Sequence, residues 1–223
     1  MSDIACHCGR RGALLARPDH SLVRWHQCRE HMEQDRIDGY GYTNSVIPPA
    51  MPEIFRDTLP AKLHQKVQDV LDWKPQADVC GLLLHGTTGV GKTRGIWEIV
   101  RKMWEAEAKR DKQLEFNFLT MRKMEGMIEK SFDDRTHSKM IDGLIESKLV
   151  IFDDFGKERL TSRMASDLFS VIDERTTARR PTIISTNFNG TALLERFENR
   201  DKETGVALIR RFKDYFTIVG IGA

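Results

Sequence analysis

The sequence predicts an α/β domain built on a mostly parallel five-stranded sheet, preceded by a small metal-binding module. Three observations lead there. From about residue 61 onward, short apolar runs alternate with stretches of helical period, the pattern of buried strands joined by covering helices. The first run leads into GTTGVGKT, residues 86–93, a glycine-rich loop set between a strand and a helix. Residues 1–38 hold three cysteines and four histidines among few apolar residues.

A chain of 223 residues has room for one full domain with something small beside it. Its 40% hydrophobic and 30% charged content is that of an ordinary globular protein. No apolar run approaches the eighteen or so residues of a membrane span. The start, MSDIACHCGRR, lacks the apolar core of a signal peptide, so a cytoplasmic protein without membrane partners is expected. The net charge of +2 provides no general basic field, and any nucleic-acid contact must be local. In a reducing cytoplasm Cys6, Cys8 and Cys28 read as metal ligands rather than disulfides, while Cys80, just before an apolar strand, reads as a small core residue.

Taken in order, residues 1–38 form the cysteine-bearing module. Residues 39–60, GYGYTNSVIPPAMPEIFRDTLP, form a connector rich in turn residues. Residues 61–223 form the main domain. GLLLHG (81–86) is the first strand. Ile96, Ile99, Val100, Met103 and Trp104 recur at helical spacing and predict a helix from about 92 to 109. LEFNFLT (114–120) is a second strand, followed by a helix carrying Met121, Met124 and Ile128. KLVIFDD (148–154) is a third strand, and Met164, Leu168, Val171 and Ile172 define the next helical stripe. PTIISTN (181–187) and YFTIVG (215–220) complete the sheet.

GTTGVGKT matches the phosphate-loop pattern G-x-x-x-x-G-K-[ST] in full. Gly86, Thr87, Thr88, Gly89, Val90 and Gly91 let backbone N–H groups close around phosphate oxygens, and the helix that follows, through Arg94, directs its positive end at the same anion. Lys92 can reach β- and γ-phosphates, and the Thr93 hydroxyl can bind Mg²⁺. The cofactor set expected is therefore ATP with Mg²⁺. Carboxylates resist burial, so the adjacent Asp153 and Asp154 at the end of LVIFDD need a reason. With a phosphate loop upstream, a strand lying beside the loop's own strand supplies the metal-side carboxylate, Asp153. Asp154 then orients or deprotonates the attacking water; alone, the pair would read as a strand cap.

Thr186 and Asn187 end the fourth strand on the side where ligands gather in open α/β sheets. Asn187 can help position the water, or it can initiate a turn before FNG. Arg210 and Arg211 lie on a short helix whose apolar face is Leu208, Ile209 and Phe212. Either can serve a neighbouring subunit as an arginine finger, or the pair can form a solvated basic face. Arg122, Lys123, Lys130, Arg135 and Lys139 are candidate DNA-phosphate contacts. Glu125, Glu129, Asp133 and Asp134 interrupt them, as on any solvated helix face.

IPPAMPEIF, GTTGVGKT, LVIFDDFGKE, DLFSVIDERTTARRPTIISTN and LIRRF occur in one order. Over residues 47–220 the chain thereby resembles AAA+ ATPases of the bacterial helicase-loader type, the DnaC/DnaI group, and the related transposition ATPase IstB. The resemblance implies an AAA+ core without a C-terminal lid domain, since twelve residues follow Arg211. It implies an ATP-driven switch that binds single-stranded DNA and helps place a replicative hexameric helicase. It makes Lys92 and Thr93 the Walker A residues, Asp153 and Asp154 the Walker B pair, Asn187 the sensor residue and Arg211 the favoured finger. That finger would act in trans, which requires self-assembly. DERTTARR departs from the aromatic-rich version expected after the long helix, which puts partner contacts there in doubt. A small-molecule phosphotransferase would need an acceptor pocket, and the STN and late arginine pair argue against it. Intact Lys92, Asp153 and Asp154 argue against a module that binds ATP without turnover.

Near the N-terminus, Cys6-x-Cys8 and, after nineteen residues, Cys28-x-x-His31 offer two close ligand pairs for a structural Zn²⁺. His7 and His26 are rival ligands. So short and polar a segment gains a fold from a metal more readily than from a core. By resemblance to DnaI-like loaders, such a module would contact the helicase.

Overall fold

The computed structural model describes residues 3–5, 11–16, 22–26, 65–108, 114, 116–133, 135–157, 161–198 and 202–221. The chain divides into two units, Met1–Thr58 with Val100–Leu114 and Leu59–Ile99 with Glu115–Ala223. In the first, β1 (Asp3–Ala5), β2 (Arg11–Ala16) and β3 (Leu22–His26) form an antiparallel meander, Ala13 facing Asp3 on one side and Trp25 on the other. The proposed zinc ligands Cys6, Cys8, Cys28 and His31 lie outside the described residues, as does the connector 39–60.

The second unit follows the alternating pattern. Its elements begin with α1 (Gln65–Gln68) and β4 (Gly81–Gly86), and α2 (Lys92–Ala108), which from Val100 onward is counted with the first unit, starts directly behind the glycine-rich loop. Then come β5 (Phe116–Thr120), α3 (Met121–Asp133), α4 (His137–Glu146), β6 (Leu149–Asp153) and α5 (Ser162–Thr177). Finally β7 (Thr182–Thr186), α6 (Gly190–Glu198), α7 (Lys202–Tyr215) and β8 (Phe216–Ile221) complete it. The five strands run in the order β5-β6-β7-β4-β8, all parallel. Every residue of β6 and β7 is buried, as expected for strands covered on both faces. Among the described residues, no helix is long and apolar enough to cross a membrane.

One expectation is corrected here. The sequence reading puts the Asp153 strand beside the phosphate-loop strand, but the sheet inserts β7 between them. Both edges of β4 are taken, Leu83 pairing with Ile184 of β7 and with Ile218 of β8, so β6 can meet only β7 and β5.

Packing explains how the ends of these strands are held. The expected stripes of α3 (Met121, Met124, Ile128) and α5 (Met164, Leu168, Val171, Ile172) are all buried. Thr161 caps α5, its hydroxyl accepting from the Met164 N–H at 3.1 Å. Phe155, next after the two aspartates, is fully buried. Its ring centroid lies 6.1 Å from Phe152, 5.9 Å from Phe197 of α6 and 6.0 Å from Phe212 of α7, distances at which aromatic pairs are favourable. The exit of β6 is thus anchored to α6 and α7 by one side chain.

Arg175, in the last turns of α5, is fully buried, and among the described residues no carboxylate is a hydrogen-bond partner to it. Its Nη1 donates to the carbonyls of Leu144 (2.8 Å), Ile145 (3.1 Å) and Ser147 (2.7 Å), its Nε to Thr182 Oγ1 (3.0 Å), and its Nη2 to the Pro181 carbonyl. The last carbonyls of a helix have no partner within the helix, and a cation there also suits the helix dipole. Arg175 therefore closes the end of α4, just before β6 begins, and ties it to the start of β7. Burial is the main cause pulling its pKa down to about 10, with Arg180 adding to the effect.

Candidate nucleotide site

The loop from Gly86 to Thr93 joins β4 to α2. A Cβ at Gly86 would lie 2.0 Å from the Ile221 carbonyl oxygen, so the first glycine is required by the neighbouring strand β8. Gly89 and Gly91 have φ of 88° and 91°, a left-handed backbone that suits only glycine readily. Space where a Cβ of Gly89 would stand is open for 4 Å. These two turns are the loop's own requirement.

Lys92 heads α2 and is only 5% exposed. Its ammonium donates to the Gly86 carbonyl at 2.8 Å, the Thr87 carbonyl at 2.9 Å and Asn187 Oδ1 at 2.8 Å. Burial pushes its pKa down, while the nearby charges of Asp154 and Asp153 oppose that shift. The hydroxyl of Thr93 donates to both oxygens of Asp153, at 3.0 and 3.1 Å. Residues 60 positions apart in sequence are thereby joined.

Asp153 is buried, which pushes its pKa up, against the lowering effect of hydrogen bonds from Ser185 and Thr93. Asp154 follows in a different setting. It has φ of 58°, a left-handed conformation that aspartate tolerates better than most residues. Its carboxylate accepts from Lys157 Nζ at 3.0 Å, and its side chain is 38% exposed. The two neighbours are therefore split, one turned inward toward the loop and one outward.

β7 supplies the contacts that bind these parts together. Ser185 donates to Asp153 Oδ1, and its hydroxyl accepts from the Asp154 N–H at 3.0 Å. Its carbonyl accepts from the Phe155 N–H at 2.7 Å. Thr186 Oγ1 donates to the Phe155 carbonyl at 2.7 Å. Asn187, just past the strand, holds Lys92. Sequence reasoning singled out Thr186 and Asn187 but missed Ser185 and Lys157. The signal for Ser185 was a hydroxyl two positions before Asn187, within the strand that ends at Thr186.

This donor set fits the group the motif implies. A hard divalent cation takes oxygen ligands, and the Thr93 hydroxyl and Asp153 carboxylate lie in contact. An ammonium shares the loop, and Arg94 carries a buried Nε with no hydrogen-bond partner among the described residues.

The remaining candidates lie apart from this cluster. Arg211 donates from Nε to Asp173 of α5, with its guanidinium 5.7 Å from the Tyr215 ring. Arg210 is 81% exposed and lies 3.5 Å from Asp214. Arg122, Lys123, Lys130, Arg135 and Lys139 are all exposed, and Glu129 and Asp133 are exposed among them.

Comparison with known proteins identifies the fold and the family. The family model "IstB-like ATP binding protein" matches residues 55–222. No curated protein sequence matches the chain. Among solved structures, DnaI is similar with a TM-score of 0.55 at 18% identity, covering 78% of this chain and 86% of that one. The DnaC helicase loader gives 0.54 at 18% identity, covering 71% and 87%. The replication initiator DnaA bound to AMPPCP and single-stranded DNA gives 0.56 at 12% identity, covering 79% of this chain and 51% of that one. These likenesses show the fold, a P-loop core of the AAA+ type, and the family match is specific: the chain belongs to the IstB-like ATP-binding proteins.

Proposed function

We propose that this protein hydrolyses ATP, with Mg²⁺, as a DNA replication factor of the helicase-loader type. One observation carries the reading: Lys92 and Thr93 of the loop are joined by hydrogen bonds to Asn187 and Asp153 of two other strand ends. Lys92 binds the phosphates, and Thr93 and Asp153 hold Mg²⁺. When bound, that ion supplies positive charge against the phosphate oxygens during transfer to water. Asp154 takes the proton of the attacking water, and Asn187 helps position it. An arginine of a second copy, Arg211 or the more exposed Arg210, completes the site in trans.

Single-stranded DNA and a replicative hexameric helicase are the partners this reading requires. It is supported by the fold shared with a DNA-bound initiator and a helicase loader. The purified protein is expected to hydrolyse ATP faster with single-stranded DNA and to retain the replicative helicase in a pull-down. A second reading, a transposition helper, has the same chemistry and is favoured by the family match itself. Retention of a transposase with no helicase would decide for it; absence of any ATP hydrolysis would sink both.

For the N-terminal unit, we infer a structural Zn²⁺ on Cys6, Cys8, Cys28 and His31. Elemental analysis should find about one zinc per chain, lost in Cys28→Ser. A metal-free wild type removes the idea.

A further inference from the structure

We propose that Ser185 is the positioning residue of this site, holding Asp153 on the metal side and turning Asp154 toward the attacking water. The inference rests on the ATPase reading above and adds to it the residue that sets both carboxylates.

A hydroxyl has one proton to donate and two lone pairs. In a buried strand with its backbone paired, the undemanding use of that proton is a nearby carbonyl. Ser185 is fully buried, yet it donates to a carboxylate oxygen of Asp153 and accepts the N–H of the next residue, Asp154. Its carbonyl accepts the N–H of Phe155. One residue of β7 thus contacts three consecutive residues of the segment leaving β6.

The sheet gives the reason. β6 and β7 pair regularly through Val150–Thr182, Ile151–Ile183 and Phe152–Ile184. Beyond that, the left-handed φ of Asp154 bends the chain out of the ladder, and its N–H needs another acceptor. The Ser185 hydroxyl provides it. Continued as a regular strand, residues 153 and 154 would point to opposite faces of the sheet. The bend leaves Asp153 on Thr93 and Asp154 partly open to solvent. Asn187, two residues on, accepts from the Lys92 ammonium. The strand between the two Walker strands therefore carries one contact for each.

Thr186 provides the control. It is equally buried and lies one residue away, but its hydroxyl bonds the Phe155 carbonyl and touches neither carboxylate. Loosening of β7 in general would follow from losing either hydroxyl. Loss of carboxylate placement would follow from Ser185 alone.

The test compares Ser185→Ala, Ser185→Cys and Thr186→Val in the full chain, by titrating a fluorescent ATP analogue with EDTA and at increasing Mg²⁺. Ser185→Cys fills the space of the serine but donates poorly, which guards against a misfolded alanine variant. Both Ser185 variants are expected to bind the analogue in EDTA as the wild type does. Each should need about tenfold more Mg²⁺ to reach the tight-binding form. At saturating Mg²⁺ their kcat should fall about tenfold with KM for ATP held. Thr186→Val should follow the wild-type Mg²⁺ curve. Ser185 variants on the wild-type curve, or an equal shift in Thr186→Val, overturn the proposal. A wild type that binds no analogue overturns the nucleotide reading and this inference together. A Mg²⁺-responsive wild type matched by Ser185→Ala overturns only this one.

Discussion

Asp154→Asn is expected to keep nucleotide binding and lose ATP turnover by about a thousandfold, the scale of removing a general base. The amide has the shape of the carboxylate but cannot accept a proton from water. Asparagine also tolerates the left-handed backbone that Asp154 adopts, with φ of 58°. The pair it would give up, with Lys157 at 3.0 Å, is largely exposed, and such pairs add little stability. Lys92, Thr93 and Asp153 keep their mutual bonds. Binding of a fluorescent ATP analogue and steady-state phosphate release, measured on one preparation, check the separation. Normal turnover would remove Asp154 from the water-activating role. Loss of binding would show that the two aspartates do not divide the work as their opposite orientations indicate.

Arg175→Leu is expected to destabilise the fold by about 3–5 kcal/mol, a large part of the 5–15 kcal/mol typical of a domain. The cation is fully buried and is solvated by the protein's own carbonyls. A leucine would restore the apolar volume but leave the carbonyls of Leu144, Ile145 and Ser147 facing a hydrocarbon. The loss falls at the entry to β6, whose other end carries Asp153. Urea unfolding followed by circular dichroism should show a lower midpoint. An unchanged midpoint would mean that water replaces the guanidinium without cost.

These two residues also mark where the sequence was legible and where it was not. The strands of the five-stranded sheet were readable because buried parallel strands are short apolar runs, and LVIFDD and PTIIST end where the structure turns; the antiparallel strands β1, β2 and β3 were not read. α2, α3 and α5 were readable from stripes such as Met164, Leu168, Val171 and Ile172. α4, HSKMIDGLIE, was missed because its one fully buried residue is Leu144 and its end is closed by a side chain thirty residues away. Arg175 sits in DERTTARR, which looks like a charged surface run. Nothing local says that one of its arginines faces inward to backbone carbonyls. Lys92, Asp153, Asp154 and Asn187 were legible as motifs, whereas strand order was not. A parallel sheet fixes its neighbours through contacts distant in sequence, so the insertion of β7, and with it the place of Ser185, needed the fold.

That strand order has a consequence for biosynthesis. β4 emerges from the ribosome early, yet its partners β7 and β8 both lie beyond residue 181. Non-local pairing of this kind is slow, and vectorial synthesis holds it back further. The phosphate loop is translated near the start of its domain and is seated among the last of its parts. A nascent chain stalled before β7 would carry the whole GTTGVGKT motif and no site.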